Sequence, residues 1–124
     1  MTDYNPGDVV LIPFPFTDLS TVKQRPAIIL SSAVFNLHHQ DAILAAITSH
    51  VPEALTSDEY LLSDEEQRAA GLPKSSIIKV GKLVTLDQRL IRKHLGRMPK
   101  AGQEQLIHIV MDIFGAADGP ERVE

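Results

Sequence analysis

Pro26-Ala27-Ile28-Ile29-Leu30-Ser31 reads as a buried β-strand: a short apolar run, rich in β-branched isoleucine, opened by a proline and closed by a serine. Ahead of it, Val9, Leu11, Phe14 and Phe16 mark a strand-like segment after the Pro6-Gly7 turn signal. Pro13 and Pro15 have no amide hydrogen, so this segment is expected to end at a sheet edge or pass into a loop. Residues 17–24 are polar and are expected to form a mobile loop leading to Pro26. Beyond Ser31, a second apolar run over residues 42–47 ends in Thr48 and Ser49, and residues 60–62 form a shorter candidate strand.

Ser63-Asp64-Glu65-Glu66 has the form of a capping box, with Ser63 at the N-cap and Glu66 three residues on. Gly71 and Pro73 then stop that helix early. Residues 76–80 and 83–86 return to β-type sequence, while residues 90–98 fit either period. Leu106, Ile107, Ile109, Val110, Ile113 and Phe114 fall at helical spacing before Gly115, predicting a C-terminal amphipathic helix. Several short strands with one middle and one terminal helix predict an α+β, mostly β chain, built as a small, strongly bent antiparallel barrel. A length of 124 residues predicts a single domain, with its core over about residues 6–115 and a frayed tail at 116–124.

Composition narrows the function. Hydrophobic residues make up 44% of the chain, enough for a packed core. Without cysteine there is no disulfide framework and no thiolate-bound zinc. Residues 1–7 lack the apolar segment of a signal peptide, and no apolar run nears the roughly 20 residues needed to cross a bilayer, so a soluble, cytoplasmic protein with no membrane partner is expected. The net charge of −4 conceals an uneven distribution. Residues 74–100 hold eight bases and one acid, whereas residues 51–73 hold six acids and one base. Local sign governs the approach to a phosphate backbone, although solvated strand faces carry such charges too.

No glycine-rich phosphate loop, serine nucleophile elbow or paired-carboxylate signature occurs. His38 and His39, read as strand neighbours, face opposite ways and lack an acidic ligand cluster. Arg25, held toward extended backbone by Pro26, is expected at the end of the polar loop just before the buried strand. A planar, always-charged guanidinium there suits a phosphate clamp; from position alone an ordinary surface ion pair is the better fit. Thr48 and Ser49 can donate to a phosphate oxygen or simply cap a turn.

Three blocks in order make the pattern specific. Gly7-Asp8-Val9-Val10-Leu11 with Arg25-Pro26-Ala27-Ile28-Ile29-Leu30-Ser31, then Ala45-Ala46-Ile47-Thr48-Ser49, then residues 72–76 with Lys82-Leu83-Val84-Thr85-Leu86-Asp87, resemble the motifs of the MazF/PemK toxin family. The resemblance runs from about Gly7 to the last helix. It implies a small SH3-like barrel of the CcdB/MazF type with appended helices, usually a homodimer. It implies a type II toxin held by a cognate antitoxin, with which it also binds DNA. The implied activity is metal-independent, cofactor-free cleavage of single-stranded RNA: the 2′-hydroxyl attacks phosphorus, leaving a 2′,3′-cyclic phosphate and a 5′-hydroxyl. Arg25 and Thr48 match the family's catalytic pair. Phe16, Lys23, Ser31, Ser49 and Lys82 are then the expected RNA-binding residues, Phe16 by stacking and the others by holding backbone phosphates.

Two departures stand beside the match. Many members carry a glutamate in the loop before the arginine, and Ser20 falls at that position here. Lys82 replaces a common glutamine, and Val84 a basic residue. The Pro13-Phe14-Pro15-Phe16-Thr17-Asp18 segment looks like that of a PemK-like subgroup. Two alternatives remain at this point: a non-catalytic CcdB-like toxin that binds DNA gyrase, and an inactive relic that only binds an antitoxin.

Overall fold

The computed structural model describes residues 4–15 and 22–116. Six strands and three helices follow in the order β1 (Asp8–Pro15), β2 (Val22–Ile29), α1 (Ala33–His38), β3 (Asp41–Thr48), β4 (Glu59–Leu61), α2 (Asp64–Ala69), β5 (Ile77–Asp87), β6 (Lys93–Arg97) and α3 (Lys100–Ile113), with a 3₁₀ turn at Gln88–Leu90 before β6. The strands form one sheet in the order β4-β5-β3-β2-β1-β6, every neighbour antiparallel, curled into a half-barrel.

The apolar runs of β2 and β3 are continuous because both faces of the sheet are covered there, and successive side chains enter opposite cores. On one face Val9, Ile28, Ala45, Ile47 and Ile78 pack with Leu62, Ala70, Leu72, Met98 and Leu106. On the other, Val10, Ile12, Ala27, Ile29, Ala42 and Leu44 form a second cluster against Tyr4, Phe14, Val84, Leu86 and Ile91. Burying each large aliphatic side chain contributes about 1.5–3 kcal/mol before conformational entropy is charged against it. Ile28 and Ile29, both fully buried, are therefore core residues of this chain. They are not the surface contact that a dimer needs.

Pairing extends the second strand beyond its apolar part. β2 starts at Val22, not Pro26, because β1 continues to Pro15 and takes Lys23 opposite Phe14 and Gln24 opposite Pro13. Residues 22–24 thus belong to a hairpin arm, where cross-strand hydrogen bonds outweigh a polar composition. Leu11 gives its carbonyl to the Arg92 amide, so odd positions of β1 point toward β6, whose pairing stops at Leu11. Pro13 and Pro15 lie on that side beyond the last pair, where a missing amide hydrogen breaks no ladder bond.

One other expectation changes, an open one resolves, and the C-terminal helix forms as expected. Residues 33–38 form α1, which puts His38 and His39 at a helix end with each Nδ1 2.9 Å from the carbonyl four residues back. The helix is a single capped turn and a half: Ser32 accepts from the Phe35 amide, and buried Asn36 donates to the Tyr4 and Ser31 carbonyls. The ambiguous residues 90–98 resolve into the end of the 3₁₀ turn and β6. On α3, Leu106 is buried while Ile107, Ile113 and Phe114 stay exposed. The capping box at Ser63 and Glu66 forms as expected, with both reciprocal bonds present.

Candidate active site

The ladder between β2 and β3 runs from Ile29↔Leu44 to Ala27↔Ala46 and stops. Pro26 sits at the next position. With no amide hydrogen it cannot extend the pairing, so the two strands part there. Continuing the register two residues past Ala27 and Ala46 would set Arg25 opposite Thr48. The chain therefore opens its sheet at the point where these two side chains emerge. Arg25 is held from the other side, opposite Ile12 in the β1–β2 register, in mid-strand and not at a loop end.

The gap is a cleft of about 380 Å³ lined by Arg25, Thr48, Ser49, Lys74 and Ser76, with Leu11, Pro26, Ile47, Leu72 and Leu95 among its apolar walls. The two charged side chains on the lining are both cationic, and no carboxylate or imidazole lines it among the described residues. Such a surface suits an anion whose other parts are apolar or planar, and a nucleotide phosphate with its base fits that description.

Among the described residues the Thr48 hydroxyl is engaged on one side only. Its Oγ1 accepts the His50 backbone N–H at 3.1 Å, which uses an oxygen lone pair and leaves the O–H to donate. The turn-capping role and the donor role are thus compatible in one hydroxyl. Ser49 follows it, exposed, on the same rim.

The remaining expected site residues divide. Lys23 is exposed on β2, two residues from Arg25 and so on the same side of the strand. Ser31 does not line the cleft. Its hydroxyl donates to Asn36 Oδ1 and accepts from the Ile43 amide, so it is engaged in holding α1 to β3. Lys82 is also off the cleft: β5 bulges between its pairings with Ala45 and Ala46, and Lys82 is exposed in that bulge. Phe16 and Ser20 lie outside the described residues. Lys74, Ser76 and Leu95 also line the cleft; the first two fall in the third motif block but were not expected as site residues, and Leu95 carried no site expectation. The available signal was the Gly71-Leu72-Pro73 turn immediately before the basic stretch that begins at Lys74. Among the described residues no group of three His, Asp or Glu side chains is gathered to hold a metal, and no helix is long and apolar enough to cross a membrane.

Comparison with known proteins agrees with this architecture. Among solved structures, an endoribonuclease in complex with its cognate antitoxin from a mycobacterial species superposes with a TM-score of 0.73 at 14% identity, over 90% of this chain and 95% of that one. MazF from Deinococcus radiodurans matches with a TM-score of 0.73 at 20% identity, over 93% and 99%. The Mycobacterium tuberculosis toxin MazF-mt6 matches with a TM-score of 0.66 at 18% identity, over 85% and 95%. At these identities the likeness establishes a MazF-like fold. A search of curated proteins found no match. The family described as PemK-like, MazF-like toxin of type II toxin-antitoxin system matches residues 5–114, nearly the whole chain, and this protein belongs to it.

Proposed function

We propose that this toxin is an endoribonuclease that cuts single-stranded RNA without a metal ion, in the cleft between Arg25 and Thr48. The observation that carries the reading is the splaying of β2 from β3 at Pro26, which exposes a guanidinium and an orientable hydroxyl in one anion-suited cleft. The ribose 2′-oxygen forms a bond to the adjacent phosphorus while the bond from phosphorus to the 5′-oxygen breaks. Water takes the 2′ proton and returns one to the 5′-oxygen, leaving a 2′,3′-cyclic phosphate and a 5′-hydroxyl. Negative charge grows on the non-bridging oxygens along the way. Arg25, with its planar fork, and the Thr48 O–H are the donors that stabilise it.

In this reading charge stabilisation and positioning by the cleft carry the catalysis. Lys23 and Ser49 flank the pair and hold neighbouring phosphates. The active unit is a homodimer, and a cognate antitoxin restrains it. The relatives crystallised with their antitoxins support that partner.

The test is incubation of the purified protein with mixed-sequence RNA in EDTA, with the products' ends analysed. Cleavage to cyclic phosphate ends, reduced roughly 100- to 1000-fold in Arg25→Ala, is expected. Intact RNA with the wild type, or equal cutting by the variant, would remove the proposal. Growth arrest that persists undiminished in Arg25→Ala would point instead to a gyrase-type protein contact.

A further inference from the structure

The loop over residues 71–76 forms a wall of the cleft separate from β2 and β3, and Lys74 is its charged member. An exposed lysine is ordinarily a solvated charge on a mobile stem. Here the backbone beneath it is pinned at both ends. The Leu72 amide donates to the Gln67 carbonyl at 3.0 Å, and Gln67 Nε2 donates back to the Leu72 carbonyl at 3.1 Å. Leu72 itself is buried in the core. On the other side, the buried Ser76 donates its hydroxyl to the carbonyl of Lys74 at 2.8 Å, while the Leu62 amide binds the Ser76 carbonyl at 3.1 Å. Lys74 thus projects from a fixed rim into the cleft that holds Arg25 and Thr48.

We infer that Lys74 contacts the scissile phosphate and shares with Arg25 the negative charge that builds there during cleavage, an inference that rests on the endoribonuclease reading above. A phosphodiester carries one negative charge, and the pentacoordinate species formed by 2′-oxygen attack carries a second once the proton has left. One guanidinium matches the ground state; a second cation matches the extra charge. The apolar walls at Leu11, Pro26, Ile47, Leu72 and Leu95 strengthen charge interactions at close range. A group whose worth grows with the developing charge raises kcat more than it lowers KM.

The experiment is steady-state kinetics on a short RNA carrying a site that the wild type cuts. Lys74→Met is expected to lower kcat roughly tenfold to a hundredfold with KM within about threefold. Lys74→Arg should recover most of the loss, and Lys100→Met, an exposed lysine at the start of α3, should leave kcat unchanged. An unchanged kcat in Lys74→Met, or a change confined to KM and its salt dependence, would overturn the inference and leave the endoribonuclease reading intact. Equal loss in Lys74→Arg and Lys74→Met would also overturn it. A wild type that cuts no RNA would instead defeat the reading itself, and the inference with it.

Discussion

The α-carbon of Gly71 approaches the Leu95 carbonyl so closely that a Cβ added there would fall 2.0 Å from that oxygen. Gly71 also has φ +74°, a conformation that L side chains rarely adopt. The two constraints together seat the loop bearing Lys74 against β6. Gly115 isolates the backbone constraint, with φ +75° and nothing within 4 Å of its added Cβ. Gly71→Ala should therefore cost about 2 kcal/mol or more, and Gly115→Ala only about 1 kcal/mol. Urea denaturation of the two variants checks the difference. Equal losses would mean that the Leu95 contact relaxes freely.

Tyr60 ties β4 to α2. Its hydroxyl donates to Glu66 Oε2 at 2.7 Å, while Glu66 Oε1 accepts the Ser63 amide at 2.9 Å. Burial first, then this hydrogen bond and the Glu66 charge, push the phenol from its ordinary 10.0 up to about 12. A raised folded-state pKa favours the protonated phenol in the native chain. Its contribution is full below pH 10.0 and is lost as pH rises through about 12. Solvent access weakens the pair, so Tyr60→Phe should cost about 1 kcal/mol at pH 8, with the gap closing toward pH 12. Matching urea midpoints at pH 8 would contradict this.

Much of this architecture can be read from the chain, and the exceptions have identifiable causes. The strands at residues 27–29 and 42–47 announce themselves because both faces are buried, which leaves no polar position to blur the run. The α2 capping box is local chemistry, legible within four residues. Lys23 and Gln24 hide their strand because cross-strand pairing with β1, not their own composition, makes them extended. α1 is too short to display a period, and its anchor, the Asn36 bonds to Tyr4 and Ser31, depends partly on a contact across 32 positions. For the site, Arg25 and Thr48 follow from motif resemblance, but their juxtaposition depends on where the β2–β3 ladder ends. Lys74 was visible as one base among eight and as part of the third motif block, but not as a site residue until the fold set its loop on the cleft.

At the far side of the sheet, Arg89 grips Asp87 through Nε at 3.1 Å and Nη2 at 2.8 Å, and its own amide donates to the same carboxylate at 2.9 Å. The side-chain bonds first, and the amide second, hold the Asp87 carboxyl down to about 2 from its ordinary 3.8. A depressed carboxyl pKa contributes to stability above 3.8, and that contribution is lost as pH falls through about 2. Arg89→Ala removes the guanidinium and keeps the amide, so the Asp87 pKa should rise by about one unit. Carboxyl carbon NMR titration reads this directly. A resonance that titrates at the wild-type position in Arg89→Ala would show that the guanidinium is not the cause.

Thr48 offers the sharpest separation between structural and chemical roles, because one hydroxyl is assigned to both. Thr48→Ser retains the oxygen that accepts the His50 amide and a hydroxyl hydrogen able to donate. Thr48→Val keeps the volume and removes both. If the hydroxyl only caps the turn, Thr48→Val loses stability and whatever activity follows from a displaced rim, with KM and kcat affected together. If it donates to the developing charge, kcat falls roughly 100-fold while KM stays within about threefold. Thr48→Ser should remain within about tenfold of wild type, the residual loss reflecting its less restricted rotamers. Circular dichroism melts on all three proteins guard against loss of fold. A Thr48→Val enzyme with wild-type kcat would remove Thr48 from the chemistry and leave Arg25 and Lys74 to carry the charge.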